Sequence, residues 1–354
     1  MKVAPLYRAF KKYPDIQSLI VHTGQHYDAA MSDIFFQQLE LPDPDYFLGI
    51  GGGTHTEQTA RIMLAFEQII LKERPDLVLV VGDVNSTIAC ALVAIKMQIP
   101  VAHVEAGLRS NDRSMPEEIN RILTDNISDW LFVTEPDGLE NLRREGISAE
   151  KVHFVGNTMI DSLAYYLPKL IDVNLPEEIQ RHDLAPSEYI LMTMHRPSNV
   201  DTMEGLISTL AVIDLASQYK KVILPMHPRT QNNLQKYGFS ERLLSNPNIV
   251  LTSPLGYLPF IKLMKDAWLV ITDSGGIQEE TTYLNVPCLT FRRSTERPIT
   301  VEVGTNTMIS ELDTELVRIK INELSDGRYK HGHIPELWDG KAADRIAELL
   351  HSAL

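Results

Sequence analysis

The sequence contains very little cysteine and no long uninterrupted apolar run. Cys90 and Cys288 are the only cysteines among 354 residues, and both lie inside apolar stretches. We therefore expect two buried, reduced thiols rather than a disulfide framework. No apolar stretch reaches the roughly 20 residues that a membrane-spanning helix needs, and the N-terminus has no signal-peptide pattern. These absences favour a cytoplasmic protein.

Positive charge is also scarce. The chain carries 33 lysines and arginines against 47 acidic residues, a formal net charge of −14. This balance argues against nucleic acid or a membrane surface as a partner. It still permits an anionic small molecule, because a few local arginines and backbone N–H groups can dominate one cleft.

Two common nucleotide-binding motifs are missing. No segment matches G-x-x-x-x-G-K-[ST], which argues against an ATP-hydrolysing P-loop. The stretch "GIGGGTHTEQT" at 49–59 lacks the G-x-G-x-x-G spacing, and no long strand precedes it. We interpret it as a loop ahead of a helix, which removes the usual nicotinamide-binding route.

Short, nearly continuous apolar segments alternate with helical patterns along the whole chain. Strands covered on both faces have this appearance, and the length suffices for two domains. The alternation is interrupted near Pro168, Pro176 and Pro186, the best linker candidate. We predict an α/β protein of two doubly wound Rossmann-like domains with ligands at the carboxyl ends of the strands. The predicted strands cover 17–23, 76–83, 100–106, 130–135 and 152–157, then 189–195, 221–227, 248–252, 267–273 and 286–291.

Titratable side chains follow several of these predicted strands. One acidic residue after a strand is more often a helix N-cap, and one histidine there is more often structural. Five such strand ends together favour a shared cleft. The residues are Asp83, Glu105, His195, His227 and the pair Asp273–Ser274.

The segment "DSGGIQEE" at 273–280 is the clearest candidate ligand loop. Its two glycines allow close approach of an anion, and the following helix presents N–H groups and a positive dipole end. A phosphate or diphosphate fits this loop, and Glu280 can accept hydrogen bonds from ribose hydroxyls. An ordinary capped helix is the alternative.

Arginines and an aromatic residue offer further contacts. Arg292, Arg293 and Arg297 follow a predicted strand and can clamp phosphates bidentately. A solvated loop with glutamate partners is nearly as good an interpretation. The segment "YLPF" at 257–260 supplies an aromatic ring for stacking on a base, although core packing is the stronger alternative.

The order of the short motifs is more specific than any one of them. It resembles the non-hydrolysing UDP-N-acetylglucosamine 2-epimerases over nearly the whole chain. The resemblance implies the two-domain glycosyltransferase-B-like fold with the active site in the cleft between the domains, a homodimer, and reversible conversion of UDP-GlcNAc to UDP-ManNAc without a cofactor or a metal. The motifs are "KVAPL" (2–6), "TGQHYD" (23–28), "GDVNST" (82–87), "HVEAGLR" (103–109), "PEEINR" (116–121), "GN" with an aspartate at 161, "MHRPSN" (194–199), "DSGGIQEE" (273–280) and "STERP" (294–298).

The resemblance also implies a mechanism and roles for residues. In that family UDP leaves C1 while C2 is deprotonated, and UDP then adds back to the 2-acetamidoglucal with a proton delivered to the other face. Such a site needs carboxylates on opposite faces and cations for the diphosphate. By resemblance, Asp83, Glu105 and Glu117 match the catalytic carboxylates, and His195 matches a histidine at the diphosphate.

Further matches concern substrate binding. The resemblance assigns Ser274, Gly275 and Gly276 to the phosphate loop, Glu280 to the ribose, and Arg297 to the phosphate side. It also places Phe260 beside uracil with Leu255 as a nearby backbone contact, and Lys2 in the substrate site. On this basis we expect domains at 1–170 and 171–336, with a helix at 337–354 returning to the first domain.

The chain departs from the family pattern in three places. Ser198 stands where a glutamate is common. In the segment that matches the bacterial allosteric site, Gln25 and His26 are kept, but Asp28 replaces a glutamine and "GGGT" replaces an arginine–glutamine pair, which argues against activation by substrate. Family sequences also have a strand and a G-[TA]-R-P loop before "K-x-A-P-L". The chain begins at Met1–Lys2, so we expect that strand to be lacking and catalysis to be weakened.

Three alternatives remain open at this point. The first is a 2-epimerase of a UDP-2,3-diacetamido uronic acid. The second is a glycosyltransferase of the same fold, which needs an acceptor groove and does not need three carboxylates around C2. The third is a non-catalytic sensor of sugar nucleotides.

Overall fold

Strands and helices alternate in both parts of the chain. The structure is a computed structural model that describes residues 1–24 and 36–354. It divides into unit 1, residues 1–165 with 336–354, and unit 2, residues 166–335. Gln25, His26 and Asp28, the residues of the predicted allosteric segment, lie outside the described residues.

Unit 1 consists of parallel strands and the helices that connect them. Four strands form one sheet in the order β3-β4-β5-β6, and β1 pairs with β2 in a separate ladder. Among the described residues no ladder joins β1 to β3. The elements are α1 (Val3–Phe10), β1 (Val21–His22), β2 (Tyr46–Phe47), α2 (His55–Glu73), β3 (Val78–Val81), α3 (Asn85–Lys96), β4 (Val101–Ala106), α4 (Pro116–Ile127), β5 (Trp130–Val133), α5 (Pro136–Arg144), β6 (Val152–Phe154), α6 (Thr158–Tyr166) and, after unit 2, α16 (Ala342–Ala353).

The glycine-rich segment at 49–59 is a loop followed by a helix. Thr54 accepts a hydrogen bond from the backbone N–H of Glu57, and the Glu57 carboxylate accepts one from the Thr54 backbone, which is a capping box. Gly52 and Gly53 have positive φ angles, a conformation that glycine adopts without steric cost. The loop therefore serves the start of α2, as its spacing predicts.

Unit 2 has one six-stranded sheet in which every strand pair is parallel. Its elements are α7 (Glu177–Gln180), β7 (Tyr189–Thr193), α8 (Pro197–Val200), α9 (Met203–Ala216), β8 (Lys221–Pro225), α10 (Pro228–Lys236), α11 (Ser240–Leu244), β9 (Ile249–Thr252), α12 (Tyr257–Asp266), β10 (Leu269–Thr272), α13 (Gly275–Leu284), β11 (Cys288–Phe291), α14 (Ile299–Glu302), β12 (Asn306–Ile309) and α15 (Thr314–Ser325).

The strand order of unit 2 indicates where a ligand is expected to bind. The order is β12-β11-β10-β7-β8-β9, so the chain runs outward on one side of β7 and then returns to the other side at β10. This reversal is the topological switch point of a doubly wound sheet, and ligands bind outside the carboxyl ends of its two strands. A ligand of unit 2 is therefore expected beside the residues that follow β7 and β10.

Apolar side chains cover both faces of this sheet. Ile190 and Met192 of β7 pack into one core, and the alternate residues Tyr189 and Leu191 pack into another. The period of two places successive side chains on opposite faces. Fully burying one such aliphatic side chain contributes about 1.5–3 kcal/mol, which holds the strand ends in place.

The proline-punctuated stretch is packed rather than an open linker. Leu170 and Ile179 are buried, and Lys262 donates to the Val173 carbonyl within unit 2. A short 3-10 helix occupies Leu167–Asp172. Proline interrupts regular structure here but does not prevent neighbouring apolar residues from reaching the core. The division between the two units falls at residues 165 and 166, just before Pro168, and the linker interpretation stays a prediction.

Candidate active site

Two candidate carboxylates lie at the carboxyl ends of neighbouring strands in unit 1. Asp83 follows β3, and Glu105 lies near the end of β4, which pairs with β3. Glu105 is buried with a φ of 77°, in a part of β4 where the register shifts against β5. A non-glycine residue in this region is strained and persists only where its surroundings hold it, which is common at active sites.

Lys2 lies beside these two strand ends. Its ammonium forms an ion pair with the Glu105 carboxylate. A Cβ atom built on Gly82 would lie 3.6 Å from Lys2 Nζ and 3.8 Å from Glu105 Oε2. The space directly before Asp83 is therefore bordered by a cation and a carboxylate.

Helix α4 is hydrogen-bonded to Asp83. Arg121 Nε donates to Asp83 Oδ2 at 2.9 Å, and Asn120 donates to the Asp83 carbonyl at 2.9 Å. Glu117 lies one helical turn earlier, directly after Pro116 at the first position of α4. Its carboxylate is half-buried and has no ion-pair partner within residues 1–24 and 36–354. A carboxylate in this position is stabilised by the helix N-terminus.

The neighbouring Glu118 has a different role. Its side chain accepts hydrogen bonds from the backbone N–H groups of Ser110 and Asn111 and from Arg121 Nη1, at 2.6–2.9 Å. These contacts satisfy the carboxylate and hold the loop that follows β4. The two adjacent glutamates thus differ. The Glu118 carboxylate is hydrogen-bonded to the protein, whereas the Glu117 carboxylate has no ion-pair partner within the described ranges.

In unit 2, His195 and Asp273 occupy the switch point. His195 follows β7 and Asp273 follows β10, and these strands pair through Thr193 and Thr272. His195 Nδ1 lies 3.0 Å from Asp273 Oδ1, while the ring remains about a third exposed. Burial would raise the pKa of Asp273, but the His195 side chain and the backbone N–H of Arg196 lower it below the ordinary value. The His227 ring centroid lies 5.2 Å from that of His195.

The loop after Asp273 leads into α13. Ser274 occupies the N-cap position, and its side chain makes no capping hydrogen bond. A Cβ atom on Gly275 would lie 2.9 Å from Glu296 Oε1 and 3.3 Å from Arg292 Nη1, so a larger residue does not fit without movement. Gly276 is half-buried within the first turn. This arrangement suits an anion at the helix N-terminus.

The arginines near this loop are largely neutralised by glutamates. Arg297 is buried and pairs with Glu279 at 2.7 Å and with Glu296. Arg292 pairs with Glu296 at 2.7 Å, whereas Arg293 is exposed. One interpretation of the sequence was a solvated loop with glutamate partners. The glutamate partners are present, but Arg292 and Arg297 are buried rather than solvated. Arg297 stands beside Gly275 as part of a fixed network, and its contact with a phosphate stays a prediction.

Glu280 is a buried carboxyl group of unit 2 whose pKa is strongly raised. Burial raises its pKa to about 8, and the Tyr257 hydroxyl offsets only part of that rise. Its Oε1 has no hydrogen-bond partner among the described residues. Leaving a buried oxygen unpaired is unfavourable, so the group is suited to a ligand that brings hydroxyl donors.

The residues predicted near uracil belong partly to the core. Leu255 and Phe260 are half-buried and pack against a cluster that includes Leu263 and Ile277. Core packing, the stronger sequence-based alternative for this segment, therefore describes Phe260 in part. A role beside a base stays a prediction.

Two contacts in this geometry were not predicted. Arg121, which was not a predicted site residue, binds Asp83, and Asp273, which was predicted only as one of the strand-end groups, orients His195. Arg121 lies in "PEEINR" four residues after Glu117, and Asp273 directly follows a strand. The sequence pattern therefore drew attention to both positions, but it could not identify their partners, which are distant in the chain.

Cys90 and Cys288 are free and buried, and burial raises the pKa of these thiols to about 12 and about 11. Within the described ranges, no cluster of three histidine, cysteine or acidic residues is arranged to hold a metal ion. In the same residues, no helix is long and apolar enough to cross a membrane.

Known proteins resemble this chain over nearly its whole length. The family model for UDP-N-acetylglucosamine 2-epimerase matches residues 8–351. The UDP-N-acetylglucosamine 2-epimerase of Methanocaldococcus jannaschii is 43% identical, over 99% of this chain and 95% of the relative. The UDP-2,3-diacetamido-2,3-dideoxy-D-glucuronate 2-epimerase of Pseudomonas aeruginosa is 40% identical, over 99% of this chain and 96% of the relative.

The fold is shared as well. The crystal structure of the Methanocaldococcus jannaschii UDP-GlcNAc 2-epimerase in complex with UDP-GlcNAc and UDP aligns with a TM-score of 0.89 and 42% identity, covering 99% of this chain and 96% of that chain. The predicted α/β, glycosyltransferase-B-like fold is confirmed. This chain belongs to the UDP-N-acetylglucosamine 2-epimerase family.

Proposed function

We propose that this chain catalyses the reversible epimerisation of UDP-N-acetylglucosamine to UDP-N-acetylmannosamine at C2. The observation that carries the proposal is the group formed by Lys2, Asp83 and Glu105 at the ends of β3 and β4, with Glu117 on the helix bonded to Asp83. Membership of the family supports the same reaction. In this proposal, unit 1 acts on the sugar and unit 2 binds UDP.

The reaction needs two coupled events on the sugar. One carboxylate removes the C2 proton, the electron pair of that bond forms the C1–C2 double bond, and the C1–oxygen bond breaks with its electrons leaving on UDP. In the return step UDP oxygen attacks C1 and an acidic group protonates C2 on the other face. Two carboxylates on different faces of the sugar satisfy this requirement, and Asp83, Glu105 and Glu117 are the candidates.

Unit 2 supplies the groups that a departing diphosphate needs. The N-terminus of α13 after Ser274, Gly275 and Gly276 offers backbone donors to the phosphates. His195, held by Asp273, can donate to the same oxygens. Glu280 has an unpaired buried oxygen for the ribose hydroxyls. None of these steps requires a cofactor or a metal.

Incubation with UDP-GlcNAc alone in deuterated water tests the proposal. We expect UDP-ManNAc to form and deuterium to appear at C2 of the recovered sugars, because the C2 proton is exchanged in every complete reaction. A glycosyltransferase without an acceptor, or a sensor, would leave C2 untouched. Absence of exchange would therefore overturn the proposal in favour of one of these two alternatives or of a 2-epimerase specific for the diacetamido uronic acid.

The second candidate function is the epimerisation of a UDP-2,3-diacetamido uronic acid. The 40% identity to the Pseudomonas aeruginosa relative supports it. A uronate adds a carboxylate that needs a cationic or hydrogen-bonding partner in the site, whereas UDP-GlcNAc does not. Comparing kcat/KM for the two sugar nucleotides decides between them.

The predicted homodimer and cytoplasmic location belong to this proposal. The resemblance to the family supports the dimer, and the two buried free thiols fit a reducing compartment. Light scattering across a concentration series tests the dimer, since a constant monomer mass would contradict it.

A further inference from the structure

We infer that the buried pair His103–Asp125 is a positioning device that sets the spacing of the three candidate catalytic carboxylates of unit 1. The inference rests on the proposed function and deepens it, because neither residue is assigned a role in the reaction above. Neither side chain is exposed to solvent, so the pair acts through other residues rather than on the substrate.

The hydrogen bonds of His103 determine its charge. Nδ1 lies 2.6 Å from Asp125 Oδ1, and Nε2 lies 2.9 Å from the carbonyl oxygen of Gly82. Both partners only accept hydrogen bonds, so both ring nitrogens must donate and the ring is an imidazolium. Burial alone would lower the pKa of His103, but Asp125 raises it above the ordinary value, which agrees with this geometry.

Each end of the pair is bonded to a segment that carries a candidate carboxylate. His103 holds the carbonyl of Gly82, the residue directly before Asp83. Asp125 Oδ2 accepts the backbone N–H of Gly107 at 3.1 Å, two residues after Glu105. Asp125 itself lies on α4, whose first turn contains Glu117. One buried ion pair thus connects the ends of β3 and β4 with α4.

A second ion pair closes the network and balances its charge. Arg109 Nη2 lies 2.7 Å from Asp125 Oδ2 and 2.7 Å from Glu145 Oε2. Two cations therefore face two carboxylates, so the network is stable only when all members are present. Removing one member leaves an uncompensated buried charge, which moves the segments that it held.

The site is sensitive to such movement. Glu105 has a φ of 77° and sits at the register shift of β4, so its direction depends on what holds the residues around it. A displacement of 1 Å at a catalytic group costs roughly 10²-fold in rate. The pair makes hydrogen bonds on both sides of Glu105. His103, two residues before it, bonds to Gly82, and Asp125 bonds to Gly107, two residues after it.

The test compares Asp125→Asn and His103→Gln with Asp161→Asn as a matched control. Asp161 is also a buried aspartate of unit 1, and it accepts backbone N–H groups of Ala342 and Ala343 at the start of α16. These two N–H groups do not belong to a segment that carries a candidate carboxylate. The control therefore reports the general cost of losing a buried aspartate from this unit.

Each variant is assayed with UDP-GlcNAc in deuterated water, at equal concentrations of folded protein. We expect kcat to fall by roughly 10²-fold in Asp125→Asn and His103→Gln, with KM and the UDP dissociation constant within about twofold of the parent. The ratio of C2 exchange without inversion to exchange with inversion should also change, because the two faces of the sugar would no longer be served equally. Asp161→Asn should keep the parental kcat and the parental ratio.

The exchange ratio does not depend on how much protein is folded, so a merely structural role would not move it. An unchanged ratio and a kcat loss equal to that of Asp161→Asn would overturn the inference, as would failure of both test variants to fold while the control folds. Absence of exchange in the unmodified protein would instead overturn the proposed function.

Discussion

The carboxylate of Asp273 accepts the backbone N–H of His195 at 3.0 Å and also lies 3.0 Å from the Nδ1 of that histidine. The two residues are distant in sequence but follow the two strands that flank the switch point of unit 2. Asp273 also accepts the backbone N–H of Arg196 and the side-chain amide of Asn199. The aspartate therefore orients the histidine and does not contact the ligand in our proposal.

Replacing Asp273 with asparagine should slow turnover. Asparagine has one acceptor oxygen where the carboxylate has two, so the His195 ring and the backbone donors can no longer all be satisfied. We expect kcat to fall by roughly 10- to 100-fold, the range of a small misplacement of a catalytic group. Steady-state kinetics measure this, with Asp201→Asn as the control. Asp201 is a partly exposed aspartate of the same unit, and an equal loss in both variants would contradict the role of Asp273.

Glu105→Gln and Glu117→Gln should each reduce turnover by about 10²- to 10⁴-fold, the usual contribution of general acid–base catalysis. UDP affinity should remain within about twofold, because the proposed work of both residues is on the sugar C–H bond. Kinetics and UDP calorimetry on the same preparations measure the two effects. Glu140→Gln, which removes a surface carboxylate paired with Arg143, is the control. Equal loss of UDP affinity and turnover would make the two glutamates structural.

Arg297→Gln should destabilise unit 2 and weaken UDP binding. Arg297 pairs with Glu279 and Glu296 while buried, and removal of one partner from a buried ion pair costs about 3–5 kcal/mol. Because this network lies against Gly275, we expect UDP to bind about tenfold more weakly, the loss of one charged hydrogen bond. Urea unfolding and UDP titration test both effects. The exposed neighbour Arg293→Gln should change neither quantity, and matching losses would contradict the argument.

The stability of the protein should respond to pH through Glu280. Its pKa in the folded protein is about 8, against an ordinary value of 4.5. A carboxyl group whose pKa is raised by folding stabilises the protein fully below its unfolded pKa, and this contribution is lost as pH rises through the folded pKa. Between about pH 4.5 and 8, the parent should therefore lose stability relative to Glu280→Gln. Urea unfolding of both proteins at several pH values measures this, and parallel curves would contradict it.

Much of this protein was determined by local sequence patterns. Runs such as "VLVV" in β3 and "YILMT" in β7 are mostly apolar and contain β-branched residues, and they form strands at the expected places. The residues after those runs were correctly placed at strand ends, since hydrophobic period and chain direction are local properties. The order of short motifs was sufficient to place the chain in its family, because many weak local signals in one order are jointly specific.

Other features were decided only by tertiary structure. The local pattern did not distinguish Glu117 from its neighbour Glu118, which only the family resemblance separated, since the two differ in which distant backbone groups the fold brings to them. It did not assign Asp273 to His195 or His103 to Asp125 and Gly82, because these contacts join segments brought together by strand order. It also did not reveal that Arg297 is buried between two glutamates, or that burial raises the pKa of Glu280. The physical reason is the same in each case: the energy of a charged group is set by its surroundings, and those surroundings come from residues far away in the chain.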